Sequence, residues 1–329
     1  MKRREFITLL GGAAAVPLAA RAQQPDRIRR IGVLMGFAES DREGQFCIAS
    51  FREGLHELGW IQDRNIRFDI RWAALDAELV ERFAKELVAL QPDLILSHVT
   101  PTTVALLQQT RTIPIIFVWV SNPVGSGFVP SLARPGGNAT GLTPIVGSLG
   151  GKWVELLKEI APHVVRAVAL FNPTMAPYAE YYLNPFKVAA ASNAVEAIAA
   201  PVHNISELES VIAAQARQPN SGLVVMPDTF TVGHRADITS LATRYLLPAV
   251  YWSGAFAEVG GLISYGPDVV DEFRHAASYA DRILNGAKPS ELPVQAPVKF
   301  KLVINLKTAR TLGINIPPML LARADEVIE

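Results

Sequence analysis

Short apolar runs alternate with segments of helical spacing along nearly the whole chain. Residues 30–37 (RIGVLMGF) form a continuous apolar run, the pattern of a strand buried on both faces. Residues 44–59 then place Phe46, Ile48, Phe51, Leu55 and Leu58 at mostly helical intervals. Ile66, Phe68, Ile70 and Trp72 alternate as in a strand over 65–72, and 77–90 reads as a helix closed by Gln91-Pro92. Residues 94–99 and 113–120 are two further apolar strands. The helix between them is opened by Pro101, which has no N–H to lose in a first turn.

A long break follows over 121–150, dense in proline and glycine, and it predicts a loop and a passage between lobes. The alternation then restarts. Helices are expected over 152–160, over most of 176–199 with an interruption at Asn184-Pro185, and after Ser206-x-x-Glu209, which has capping-box chemistry. Strands are expected at 167–172, 198–202, 223–226, 249–252 and 262–265. A long helix covers 269–284, the proline-rich 288–297 reads as another passage, and 298–314 starts as a strand and ends in a short helix. The fold class is therefore α/β: two Rossmann-like lobes with parallel sheets, joined by several strands. Ligands of open parallel sheets bind at the C-terminal ends of the strands, so the loops there are the place to look for a site.

Residues 1–22 set the compartment. Lys2, Arg3 and Arg4 precede an uncharged stretch of about 15 residues that ends in Ala20-Arg21-Ala22, the layout of an export signal cleaved before Gln23. Arg3-Arg4-Glu5-Phe6-Ile7 resembles the twin-arginine variety, so export to the periplasm is expected in the folded state. The stretch falls short of the ~20 residues needed to span a bilayer. Of the 31 basic and 31 acidic residues, cleavage removes four and one, leaving 27 and 30. That mildly acidic balance argues against a nucleic-acid partner. The single cysteine, Cys47, forbids an intrachain disulfide and reads as a buried thiol.

Enzyme signatures are missing from the sequence. The nearest approach to a phosphate loop ends Gly151-Lys152, but valine at 146 and tryptophan at 153 break it. Gly36-Phe37-Ala38-Glu39-Ser40 lacks the dinucleotide glycines, and no Gly-x-Ser-x-Gly elbow exists. His56, His98, His163, His203, His234 and His275 are scattered without metal-ligand spacing, so no metal or cofactor is expected. His98 follows a strand and could reach a cleft.

Several strand ends carry groups suited to a small zwitterion. Ser97, Thr100 and Thr102 surround a helix start, where hydroxyls and free N–H groups suit a carboxylate; capping by Thr100 is the competing role. Ser121 and Asn122 follow the next strand. Asp228 follows residues 223–226 and could take an ammonium group or cap the helix after it. Phe37, Trp252 and Tyr265 sit at comparable places, with Tyr178, Tyr181 and Tyr182 clustered after another strand. Such rings suit a mostly apolar pocket or ordinary packing.

Particular runs in this chain resemble the ABC-transporter substrate-binding proteins of the tryptophan/tyrosine-binding-protein-like group. They are Phe51-Arg52-Glu53-Gly54-Leu55 with Leu58-Gly59-Trp60, Ile113-Pro114-Ile115-Ile116-Phe117, and Asn122-Pro123-Val124-Gly125. Ser131-Leu132-Ala133-Arg134-Pro135-Gly136-Gly137-Asn138 with Thr140-Gly141 is the most distinctive. Leu247-Pro248-Ala249-Val250-Tyr251 and Gly260-Gly261-Leu262-Ile263-Ser264-Tyr265-Gly266 follow in order. The resemblance implies a periplasmic-binding-protein fold of the first type, with passages near 141–146, 262–267 and 288–297. It divides the chain into one lobe of 27–142 plus 266–290 and another of 143–265 plus 291–329. It implies a monomer that traps a small solute, an amino acid or related small acid, and delivers it to an inner-membrane ABC permease. Ser97-His98-Val99-Thr100 stands where many relatives carry small residues and glycine. A sensor subunit with the same fold, or a cofactor-free enzyme on the same scaffold, are the alternatives; a cytoplasmic repressor core would need a DNA-binding headpiece in place of the export signal.

Overall fold

The computed structural model describes residues 27–144 and 146–329; the expected export signal and the expected cleavage before Gln23 lie outside the described residues. Three βα steps and two further strands build the first lobe: β1 (Arg29–Met35), α1 (Arg42–Glu57), β2 (Ile66–Trp72), α2 (Ala77–Ala89), β3 (Leu94–His98), α3 (Thr100–Gln109), β4 (Ile115–Val118) and β5 (Ala139–Leu142). The second lobe opens with α4 (Leu149–Ile160), β6 (Arg166–Phe171), α5 (Ala179–Ser192), β7 (Glu196–Pro201), α6 (Ile205–Ala216) and β8 (Ser221–Val225). It continues with α7 (Thr229–Gly233), α8 (Arg235–Arg244), β9 (Ala249–Tyr251), α9 (Gly254–Glu258) and β10 (Ile263–Pro267). The chain ends with α10 (Val269–Leu284), β11 (Phe300–Asn305), α11 (Leu306–Thr311), α12 (Pro318–Ala322) and β12 (Glu326–Ile328).

The first sheet has the order β2-β1-β3-β4-β5 and is parallel throughout. The second runs β12-β11-β10-β9-β8-β6-β7, and its one antiparallel pair is β10 with β11. In each sheet the chain reverses its direction of travel across the sheet once, between β1 and β3 in the first and between β6 and β8 in the second. Loops diverge at such a point and leave a crevice beyond the strand ends. Both crevices face the same gap between the lobes.

After β10 the chain returns to the first lobe. Helix α10 packs along α1, with Trp60 Nε1 donating to Asp281 Oδ1 at 3.0 Å and Arg274 held between Glu53 and Glu57. The passages between lobes are tied to one another by backbone hydrogen bonds. Thr143 N donates to Gln295 O (2.9 Å), Gln295 N to Gly141 O (3.0 Å), and Asp268 N to Lys299 O (3.1 Å). Two glycines let the last strand before each passage press against its neighbour. A Cβ on Gly141 would stand 1.9 Å from Phe117 O, and one on Gly266 would stand 1.7 Å from Trp252 O. Trp153 of α4, fully buried against Tyr182, anchors the second lobe to this region by donating from Nε1 to Tyr265 O at 2.7 Å.

Some local expectations shift. The break over 121–150 contains β5, a strand of four residues whose glycine and short length hide it from a periodicity argument. The helix expected to reach 199 stops at Ser192, and β7 begins at Glu196. Helix α6 is capped by Asn204, whose Oδ1 accepts from Glu207 N at 3.1 Å while Glu207 Oε1 accepts from Asn204 Nδ2 at 3.0 Å; the reciprocal pair lies two residues before Ser206 and Glu209.

Candidate functional site

The two crevices merge into one cavity of about 690 Å³ whose walls are mostly apolar and aromatic. Phe37, after β1, is buried on the wall with its ring 4.5 Å from that of His98. Trp119, after β4, meets Trp252, after β9, ring to ring at 4.8 Å across the gap. Tyr178 and Phe230 line the second-lobe side.

Backbone strain concentrates here. Val99 (φ 71°), Trp119 (φ 65°), Ala74 (φ 50°) and Leu75 (φ 59°) all have positive φ and all line the cavity. With ψ at 165°, Val99 lies in a region that is nearly the preserve of glycine. Residues held in such conformations cost on the order of 1–3 kcal/mol each and cluster at ligand clamps.

Of the residues expected to bind, Phe37, Thr100, Ser121, Asp228 and Trp252 line the cavity. The structure places Ser97, Thr102, Asn122 and Tyr265 off its wall. Ser97 Oγ is bonded to Thr102 Oγ1 (2.9 Å) and Thr103 Oγ1 (2.8 Å), and Thr102 also donates to the carbonyls of His98 and Val99. Those hydroxyls are spent on holding the strained turn into α3. Asn122 is exposed, and its Oδ1 accepts from Gly125 N at 2.9 Å in a surface turn. Tyr265 stacks on Phe300 (5.8 Å) along β10.

Asp228 combines two roles. Its carboxylate accepts from Asn172 N (2.9 Å) and Thr231 N (2.6 Å), tying the end of β6 to the end of β8 and capping α7. Burial pushes its pKa up to about 6, against the pull of those N–H groups. Tyr178 donates to Pro227 O at 3.0 Å and lies within hydrogen-bonding reach of Ser121 on the other lobe. Its neighbours part company: Tyr182 is core, and Tyr181 is exposed.

Sequence reasoning missed Glu43, Trp119, Arg235 and Ser253, all on the lining. Arg235 Nη2 donates to Asp41 Oδ2 at 2.5 Å, and Ser253 Oγ donates to Glu43 Oε1 at 3.4 Å; both contacts join the lobes. Burial, then the nearby Asp41 charge, raises the Glu43 pKa to about 7. His98, placed after a strand where it can reach a cleft, lines the cavity; burial lowers its pKa to about 3. Among the described residues no group of three or more His, Cys, Asp or Glu is placed to hold a metal, and no helix is long and apolar enough to cross a membrane.

Such a cavity, walled by rings from two hinged lobes and supplied with a few fixed polar groups, is built to enclose a small solute. The family profile described as ABC transporter substrate binding protein matches residues 44–328. The chain belongs to that family. A tyrosine-binding protein of Clostridioides difficile (strain R20291) is 25% identical over 262 residues, which are 80% of this chain and 75% of the relative. An ABC domain from Streptococcus pneumonia solved in complex with L-Trp superposes with a TM-score of 0.81 at 28% identity, covering 91% of this chain and 99% of the other. A conserved domain protein from Vibrio cholerae reaches 0.82 at 28% identity, over 92% and 100%. At the level of fold alone, the likeness extends to a myo-inositol-bound ABC transporter solute binding protein of Bacillus halodurans, with a TM-score of 0.59 at 12% identity over 88% and 99%. As a substrate-binding protein of ABC-transporter type, this chain has the two-lobed fold of the type I periplasmic binding proteins.

Proposed function

We propose that this substrate-binding protein captures an aromatic amino acid, or a closely related small acid, between its lobes and presents it to an inner-membrane permease. The observation that carries the reading is the aromatic cavity at the meeting of both switch points, with Asp228 on one wall and hydrogen-bond donors on the other. Phe37, Trp119, Trp252 and Tyr178 wall in the ring, Thr100 and Ser121 hold one end of the solute, and Asp228 takes its ammonium group. The relatives described as binding tyrosine and L-Trp support the same class.

The working form is a periplasmic monomer, exported through the twin-arginine route and cleaved before Gln23. It binds without turnover. The lobes, 27–142 plus 266–290 and 143–265 plus 291–329, turn about the three tied segments. A solute drives closure only by contacts that exist in the shut form, so groups from both lobes must touch it. Calorimetry with L-tryptophan and L-tyrosine, alongside mass spectrometry of whatever co-purifies, tests the assignment. Saturable binding of either amino acid is the expected result; binding of neither, together with a co-purified solute lacking an aromatic ring, overturns it.

A further inference from the structure

His98 closes β3 at the switch point of the first lobe and is 1% exposed. Its Nδ1 accepts a hydrogen bond from Gly36 N at 3.3 Å. A neutral imidazole that accepts at Nδ1 carries its proton on Nε2, so the ring is fixed in one tautomer. Burial keeps it neutral, with the pKa lowered to about 3 and only the charge of Asp41 acting the other way. Phe37, Phe273 and Trp119 hold the ring in place at centroid distances of 4.5, 5.7 and 6.3 Å. The remaining nitrogen, Nε2, is buried and has no hydrogen-bond partner among the described residues.

An orphaned buried donor is costly unless something else supplies the acceptor. Other donors on the wall are the Thr100 and Ser121 hydroxyls and the Trp119 indole N–H, which also lacks a partner among the described residues. Ser97, Thr102 and Thr103 are bonded to one another and to backbone carbonyls, and Arg235 is already paired with Asp41. On the facing lobe Trp252 Nε1 is another buried donor without a partner. Both groups can only donate, so they reject an ammonium group and favour a carboxylate.

The geometry points to His98 as the specificity-determining residue of the cavity, its Nε2–H donating to the solute's carboxylate while the Trp252 indole N–H offers a donor from the opposite lobe. This rests on the reading of the cavity as an amino-acid site, and it adds a fixed neutral donor at the end of the solute that Thr100 and Ser121 also hold. Recognition is by neutral donors, not by a cation, while Asp228 faces the ammonium group at the other end.

The test is calorimetry on the full mature chain with two probes, L-tryptophan and tryptamine, which lacks the carboxylate. His98→Phe keeps the ring and removes the donor; His98→Gln keeps a donor. Loss of one hydrogen bond to a charged group predicts that His98→Phe weakens L-tryptophan about 10- to 100-fold and changes tryptamine by no more than roughly twofold. His98→Gln should recover most of the L-tryptophan affinity. Unchanged L-tryptophan binding in His98→Phe overturns the assignment, as does an equal loss for both probes, which would mark a packing role. If the unaltered protein binds both L-tryptophan and L-tyrosine while His98→Phe behaves identically, only the role of His98 falls; if it binds neither, the amino-acid reading falls with it.

Discussion

Glu272, in the first turn of α10, is 3% exposed, and neither of its carboxyl oxygens has a hydrogen-bond partner among the described residues. The Trp119 indole N–H faces it without forming a well-shaped hydrogen bond, and Asp271 and Asp268 add negative charge nearby. Burial comes first among the causes that raise its pKa to about 8 from 4.5. The folded state therefore binds a proton that the unfolded chain has released, so stability is fully present below pH 4.5 and drains away as pH rises towards 8. At about 1.4 kcal/mol per pH unit, the full loss is on the order of 4–5 kcal/mol, most of it gone by neutral pH. Glu272→Gln keeps the shape and cannot ionise. Its amide is also buried, a cost that does not vary with pH. Urea denaturation of both proteins at pH 5, 6, 7 and 8 should show the variant equal or weaker at pH 5 and more stable by roughly 2–4 kcal/mol at pH 8. Glu43 and Asp228, with pKa values raised to about 7 and about 6, tilt both curves alike, so the difference between curves isolates Glu272. Parallel curves across the whole range would refute the reasoning.

Arg235→Ala removes the half-buried bridge to Asp41 and should reduce the closed population, weakening L-tryptophan about tenfold and enlarging the radius of gyration in solution scattering; an unchanged radius and affinity would contradict this. Val99→Gly relieves a positive φ in a β-branched residue and should raise stability by about 1 kcal/mol in chemical denaturation. Trp153→Phe leaves the Tyr265 carbonyl without its donor and should cost about 1–3 kcal/mol by the same measurement.

Much of the architecture was legible because buried parallel strands are nearly pure apolar runs, and helices between them carry an unmistakable stripe. The strand-end rule then led to Phe37, Thr100, Ser121, Asp228 and Trp252 on the cavity wall. It failed where side chains serve the turn itself. Ser97 and Thr102 look like ligand hydroxyls, yet the φ of Val99 demands the local bonds they make. Trp119 was hidden inside a strand expected to reach 120; β4 stops at Val118, and the residue after it becomes a wall. The pairing of Asp41 with Arg235 spans 194 positions and leaves no local trace. Tyr265 was placed by its nearness to a passage, where β10 instead turns its ring onto Phe300.

The indoles of Trp119 and Trp252 belong to different lobes and lie 4.8 Å apart at an interplanar angle of 46°. Two chromophores that close couple their excited states, and the coupling collapses steeply as they separate. A far-ultraviolet circular dichroism couplet from this pair is the expected signature of the shut form, and its loss would report separation of the lobes without any attached dye.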